Sequence, residues 1–187
     1  MSRARRILAL CRDCAAEVYG TRAPSPAYAE RVALLLAGTA ATESHCRYIR
    51  QRGFDWGADV GAWGLWQTER AALRDDLSYL ARHDALRMRA MAWLYEDPEG
   101  DFEALDNMGG PMVLRAVAAW PRLACLMARV HYMRFPEPVP ATEAARADYY
   151  KRIYNTHLGA GTREKYLADF GRIIAPVLAR NPKAPVA

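Results

Sequence analysis

The spacing of its apolar residues, which recur at steps of three and four through almost every segment, limits this chain more than any other feature. From Ser25, "SPAYAERVALLLAGTAATES" carries Val32, Leu35, Leu36 and Thr39 along one stripe. That is the period of an α-helix with a buried face. A half-buried strand would alternate at every second residue, and no convincing alternating run occurs anywhere. The expected fold is all-α, a globule of about eight helices with little or no β structure.

Punctuation residues divide the pattern. "SRARRILALCRDCAAEVYG" is helical and reaches a candidate C-cap at Gly20, and Ser25-Pro26 opens the next helix with Ser as its cap and Pro in its first turn. Residues 51–64 read as loop, with four glycines and three large aromatics. Helical spacing resumes near Leu65 and runs to Leu80, then returns over 85–95. Residues 111–133 form one long helix or two broken at Pro121. A Pro-rich extended stretch leads to Thr142 as the next cap, and the last helix spans 162–178 behind a cap at Thr162. The expected organisation is an N-terminal helix within 1–24 packed on a domain of 25–178, followed by a flexible tail over 179–187.

At 187 residues, 52% of them hydrophobic, the chain is long enough to bury one proper core. The net charge of +5 is spread out, with no run of five basic residues. A solvated surface explains it, and so does an anionic partner such as a cell-wall polymer. Nucleic-acid binding would rest on charge alone, without a motif, and is not expected. Cys11 and Cys14 form a C-x-x-C with no second pair at zinc spacing, so the four cysteines read as small buried thiols, and neither metal nor cofactor is expected. Near the N-terminus the apolar run "ILALC" stops at Arg12, well short of a signal peptide's middle, and no segment is long enough to span a membrane. Synthesis in the cytoplasm without a signal peptide is the expectation.

Glu43 breaks the pattern of its own helix. Continuing the Leu36–Thr39 stripe by one more turn reaches its carboxyl, which therefore faces packed or partly packed surroundings. Burial without a charge partner raises a carboxyl pKa, and a raised pKa suits a general acid for glycosidic cleavage. Taken alone, the same residue also reads as a helix-end glutamate paired with Arg47 or Arg50.

Three blocks around Glu43 carry more information. "GTAATESHCRYIRQ" contains Glu43-Ser44, "GAWGLWQTE" follows at residues 61–69, and "YNTHLGAGT" at residues 154–162 leads into "REKYLADF". In order and spacing these resemble the soluble lytic transglycosylases of the lysozyme-like superfamily, and most closely a bacteriophage, virion-associated branch, over roughly residues 30–170. The resemblance implies a lysozyme-like helical domain that degrades peptidoglycan glycan strands at the MurNAc-GlcNAc β-1,4 bond. It implies Glu43 as the catalytic acid and then base. Ser44, Gly64, Leu65, Trp66, Gln67, Tyr154 and Asn155 would bind substrate, with Tyr154 and Asn155 flanking the cleaved bond. Glu69 would be the candidate second carboxylate. A wall-cutting protein without an export signal would be carried to the bacterial cell wall in a phage virion, among other virion proteins, to aid genome entry.

The departures keep alternatives open. Trp66 stands where the family has Met or Phe, and Thr156-His157 replace the small residues after Tyr-Asn. A phage endolysin or muramidase using Glu69 or Asp59 is one alternative. A catalytically inactive virion structural or ejection protein that keeps the fold is the other. Convergence of Glu43, Gln67 and Asn155 on an open groove would favour an enzyme, and a filled groove or a separated trio would favour the structural role. Trp63 reads equally as a sugar-stacking aromatic or as core, and Trp56 reads as loop packing.

Overall fold

The computed structural model describes residues 2–20, 22–47, 61–96, 102–107, 110–155 and 159–180, apart from the side chains of Asp106, Gly110 and Pro111. Helices start where capping residues stop the chain from extending them backwards. Ser2 accepts from the Arg5 amide to open α1 (Arg3–Glu17), and Ser25 accepts from Tyr28 to open α2 (Pro26–Ser44). Then come α3 (Arg70–Ala81), α4 (Asp84–Tyr95), α5 (Phe102–Asn107) and α6 (Gly110–Ala119). Pro121 occupies the first turn of α7 (Pro121–Met133), so the proline ends one helix and begins another.

Thr142 caps α8 (Glu143–Tyr150), which continues without a break into a π-turn, Lys151–Asn155. Thr162 caps α9 (Arg163–Asp169), which continues as a second π-turn, Phe170–Ile174, and a last α-helical turn, Ala175–Ala179. That makes nine continuous helices among the described residues, and no strand; the one β feature is an isolated antiparallel bridge between Trp63 and Thr68. The fold is all-α. No helix among the described residues is long and apolar enough to cross a membrane.

The centre of the molecule is α2. From Leu35 to Thr42 every residue of this helix is buried, so it has no solvent face there. Its neighbours are α1, α7, α8, α9 and the second π-turn. Such enclosure requires small side chains, and the segment "AGTAAT" supplies them. The two buried threonines meet their hydrogen-bonding needs inside the helix: Thr39 Oγ1 donates to Leu35 O at 2.9 Å and Thr42 Oγ1 to Gly38 O at 2.8 Å. Thr39 also meets the Tyr132 hydroxyl of α7 at 2.8 Å. On the other side, the Arg12 guanidinium grips the Glu30 carboxylate, with contacts of 2.6 and 2.9 Å, and fixes α1 along α2.

Two boundaries depart from the sequence expectation. Helix α1 ends at Glu17, with the Val18 amide bonded to Cys14 O, three residues before Gly20. The helix expected to begin near Leu65 begins at Arg70, because residues 63–68 close a tight turn in which Trp63 and Thr68 exchange both backbone hydrogen bonds. The apolar residues of that turn are buried as they would be in a helix, which is why their spacing misleads.

Gly38 sets the distance between α2 and α9. A Cβ built there would lie 2.1 Å from the Tyr166 hydroxyl oxygen and 2.4 Å from its ring carbon. In an exposed helix, Gly→Ala stabilises by about 1 kcal/mol through propensity. At this position the clash reverses the sign, and Gly38→Ala should cost about 1–3 kcal/mol, as overpacking does. Urea unfolding of the two proteins measures the difference, and a variant more stable than wild type would refute the packing argument.

Candidate active site

The end of α2 is held by the turn at residues 61–68. Ser44 is 1% exposed, and its hydroxyl is shared between Ala40 O at 3.0 Å and Leu65 O at 2.6 Å. Trp66, fully buried, sends its indole N–H to Leu36 O at 2.8 Å. Tyr154 donates its hydroxyl to Trp66 O at 2.8 Å from the opposite side. Gly64 has φ +75°, and a Cβ there would stand 2.8 Å from Val117 Cγ1 and 3.0 Å from Val117 O, so only glycine lets the turn sit on α6. Gln67 also adopts a left-handed backbone, φ 51°, and its side-chain amide folds back to donate to Gly64 O at 2.8 Å. Together these contacts fasten one rigid turn beside the last turn of α2.

Glu43, partly buried, sits at that junction. The Tyr150 hydroxyl donates to its Oε1 at 2.5 Å, and the Asn155 amide donates to the same oxygen at 3.4 Å. Both donors come from one helix, five residues apart. In an α-helix, residues five apart point about 140° away from each other. The π-turn at Lys151–Asn155 widens the helix, so that the fifth residue returns to the same side. Lys151 then holds the other end of the Asn155 amide, with Nζ donating to Asn155 Oδ1 at 3.0 Å and to Gly159 O at 3.0 Å. This fixes which way the amide faces: oxygen to the lysine, N–H to the glutamate. A Cβ on Gly161 would lie 2.3 Å from the Tyr150 hydroxyl and 2.7 Å from Asn155 Nδ2, so the backbone at Gly161 lies directly against these two donors.

Burial pushes the Glu43 carboxyl above its ordinary pKa, and the nearby negative charge of Glu69 adds to the rise. The hydrogen bonds from Tyr150 and Asn155 and the positive charge of Lys165 act the other way, and burial prevails. Lys165 itself donates to Thr42 O, at the end of α2, and pairs with Asp169 at 3.2 Å. Because Oε1 already accepts two hydrogen bonds, the carboxyl proton belongs on Oε2. Tyr150, buried against the same carboxyl, is pushed the opposite way from acidity and stays a phenol.

The sequence-assigned residues thus divide. Glu43 and Asn155 come together in hydrogen-bond contact. Ser44, Gly64, Leu65 and Trp66 are buried and brace the turn, with no open surface for a substrate. Tyr154 is also structural here: its hydroxyl is bonded to Trp66 O, and its ring packs against Tyr132 at 5.3 Å and His131 at 5.0 Å. Gln67 bonds back to Gly64 O of its own turn and makes no hydrogen bond to Glu43. Trp63 is fully buried, which resolves it as core. Glu69 is exposed and precedes α3, near enough for Glu43 to feel its charge. Asp59, Trp56, Thr156 and His157 lie outside the described residues.

Tyr150, Lys151 and Lys165 were missed by motif reading. Tyr150 precedes Asn155 by five residues, a spacing without meaning until the helix is known to widen. The cysteines are all free and buried, and burial raises the thiol pKa of Cys46 to about 12. No cluster of three or more His, Cys, Asp or Glu among the described residues could hold a metal ion.

The raised pKa has a consequence for stability. The folded state holds the Glu43 proton more tightly than the unfolded chain, whose carboxyl titrates near 4.5. Stability from the protonated carboxyl is full below about pH 4.5 and is lost as pH rises through the folded value. Glu43→Gln removes that loss, so its stability relative to wild type should be greater at pH 8 than at pH 4. Urea melts at the two pH values test the sign; a constant difference would mean the carboxylate is not desolvated. Compared with family models, curated proteins and solved structures, the chain matches none.

Proposed function

We propose that the protein is a peptidoglycan lytic transglycosylase that cleaves the MurNAc-GlcNAc β-1,4 bond with Glu43 as its single acid. The observation that carries this reading is a desolvated carboxyl whose Oε1 is clamped by Tyr150 and Asn155, which leaves the proton on Oε2. Oε2–H protonates the glycosidic oxygen as the C1–O bond breaks, and GlcNAc departs with a free 4-hydroxyl. The carboxylate so formed is stabilised in place by the two donors already on Oε1 and by Lys165. It then takes the proton of the muramyl 6-hydroxyl as that oxygen bonds to C1, which closes a 1,6-anhydro ring and restores the acid. No water enters the reaction and the acid is regenerated each cycle.

The net charge of +5 favours an anionic wall polymer as the partner. Carriage in a phage virion to assist genome entry is the delivery this reading favours. One observation supports a second reading. Glu69 lies close enough to affect the Glu43 charge, so a water activated by Glu69 would give a muramidase with a reducing end instead.

Digestion of purified peptidoglycan, followed by mass spectrometry of the soluble products, separates these readings. Wild type should release anhydro-muropeptides, and Glu43→Gln should lower release at least 100-fold, the usual scale of a lost general acid. Tyr150→Phe removes one donor from the carboxylate and should slow release about 10-fold or more. Reducing-end products would select the muramidase. No release by well-folded wild type would reject both enzymes and leave the structural role.

A further inference from the structure

A second charged side chain is largely buried, with no opposite charge paired to it among the described residues. Arg129 of α7 is 6% exposed, and among the described residues its one hydrogen bond runs from Nε to Val18 O at 3.2 Å. A guanidinium has five N–H donors and keeps its charge at any ordinary pH, so the four on Nη1 and Nη2 are unused. A buried charge lacking an opposite charge is among the costliest arrangements in a protein.

Arg129 lines a pocket of about 220 Å³ between α7, the 135–139 stretch, Tyr28 at the start of α2 and Tyr149 of α8. The other polar groups of its walls are already engaged. Tyr28 Oη accepts from the Val139 amide at 3.2 Å, Tyr149 Oη donates to Glu137 O at 3.2 Å, and Tyr132 Oη meets Thr39. The one carboxylate of the walls, Glu137, is held by the Arg152 guanidinium at 2.7 and 2.5 Å. The remaining lining side chains are Phe135, Pro136, Val139 and Met133.

We propose that this pocket binds a small organic carboxylate, its two oxygens on the free fork of Arg129 and its apolar body against Phe135, Pro136 and Val139. Parallel N–H···O pairs to a carboxylate are what a guanidinium fork fits best. Phe135, Pro136 and Val139 line the pocket beside the guanidinium and leave room for a body attached to the carboxylate. A doubly charged phosphate fits worse, because it has no apolar body and would face the Glu137 carboxylate.

Isothermal titration of the full chain with benzoate, and separately with inorganic phosphate, at constant ionic strength maintained with chloride, tests this. Benzoate should bind saturably at one site in wild type and equally in Glu43→Gln, which places the site away from the catalytic carboxyl. Arg129→Met should abolish binding, and Arg129→Lys, which keeps the charge but not the fork, should weaken it about tenfold. The lysine variant carries the test if the methionine variant fails to fold. Absence of benzoate binding by wild type, unchanged affinity in Arg129→Lys or Arg129→Met, or binding of phosphate in preference to benzoate would each overturn the proposal.

Discussion

The enclosure of α2 is the constraint on which the rest depends. A helix surrounded on all sides must be built from small residues, and "AGTAAT" leaves room for α1, α7, α8 and α9 to approach together. Gly38 shows how tight that approach is, since the Tyr166 hydroxyl occupies the space of its missing Cβ. Small side chains bury little apolar area each, so the stabilisation comes from the larger residues that close around them: Leu8, Leu35, Leu36, Tyr132, Tyr150 and Tyr166. Most of a ring of tyrosines packs about the C-terminal half of α2, and their hydroxyls are the polar groups it must satisfy. One of them, Tyr150, does so on Glu43.

The site follows from that arrangement. An enclosed helix that simply ended would leave its last carbonyls unmet, and the chain answers with His45 and Cys46 in the left-handed region, whose amides return to Ala40 and Ala41. Glu43 points out of the last enclosed turn toward the π-turn at Lys151–Asn155, which offers it two donors. The π-turn costs regular α geometry in α8, and what it achieves is local: Tyr150 and Asn155 meet one oxygen. Ser44, Trp66 and Tyr154 hold the 61–68 turn at a fixed distance from that oxygen, which is a positioning task carried out from the interior.

Helices and caps were legible in the sequence because they are set by nearest neighbours. Ser25, Thr142 and Thr162 cap where their residue types say they should, and Pro121 divides two helices as its chemistry requires. Glu43 was legible too, since a carboxyl on an apolar stripe contradicts its surroundings. Tyr150 was not, because its relation to Asn155 exists only after a π-turn that no local propensity announces. Trp66 and Tyr154 were misread for a related reason. An aromatic residue in a motif looks the same whether its ring faces a sugar or the core, and only the direction of its polar edge decides. Here the indole N–H and the phenol hydroxyl both point to backbone carbonyls inside the protein.

Glu43 and Arg129 meet the same difficulty with opposite means. A buried carboxyl can remove its own charge by keeping a proton, and that proton is the reagent the proposed reaction needs. A guanidinium has no such recourse. Burial lowers the pKa of Arg129, yet a guanidinium starts so far above neutrality that the group stays charged. The same burial therefore makes a carboxyl hold its proton more tightly and leaves a guanidinium with its charge. They differ because an acid neutralises itself by binding what water always supplies, whereas a base as strong as arginine keeps its charge and needs an opposite charge beside it.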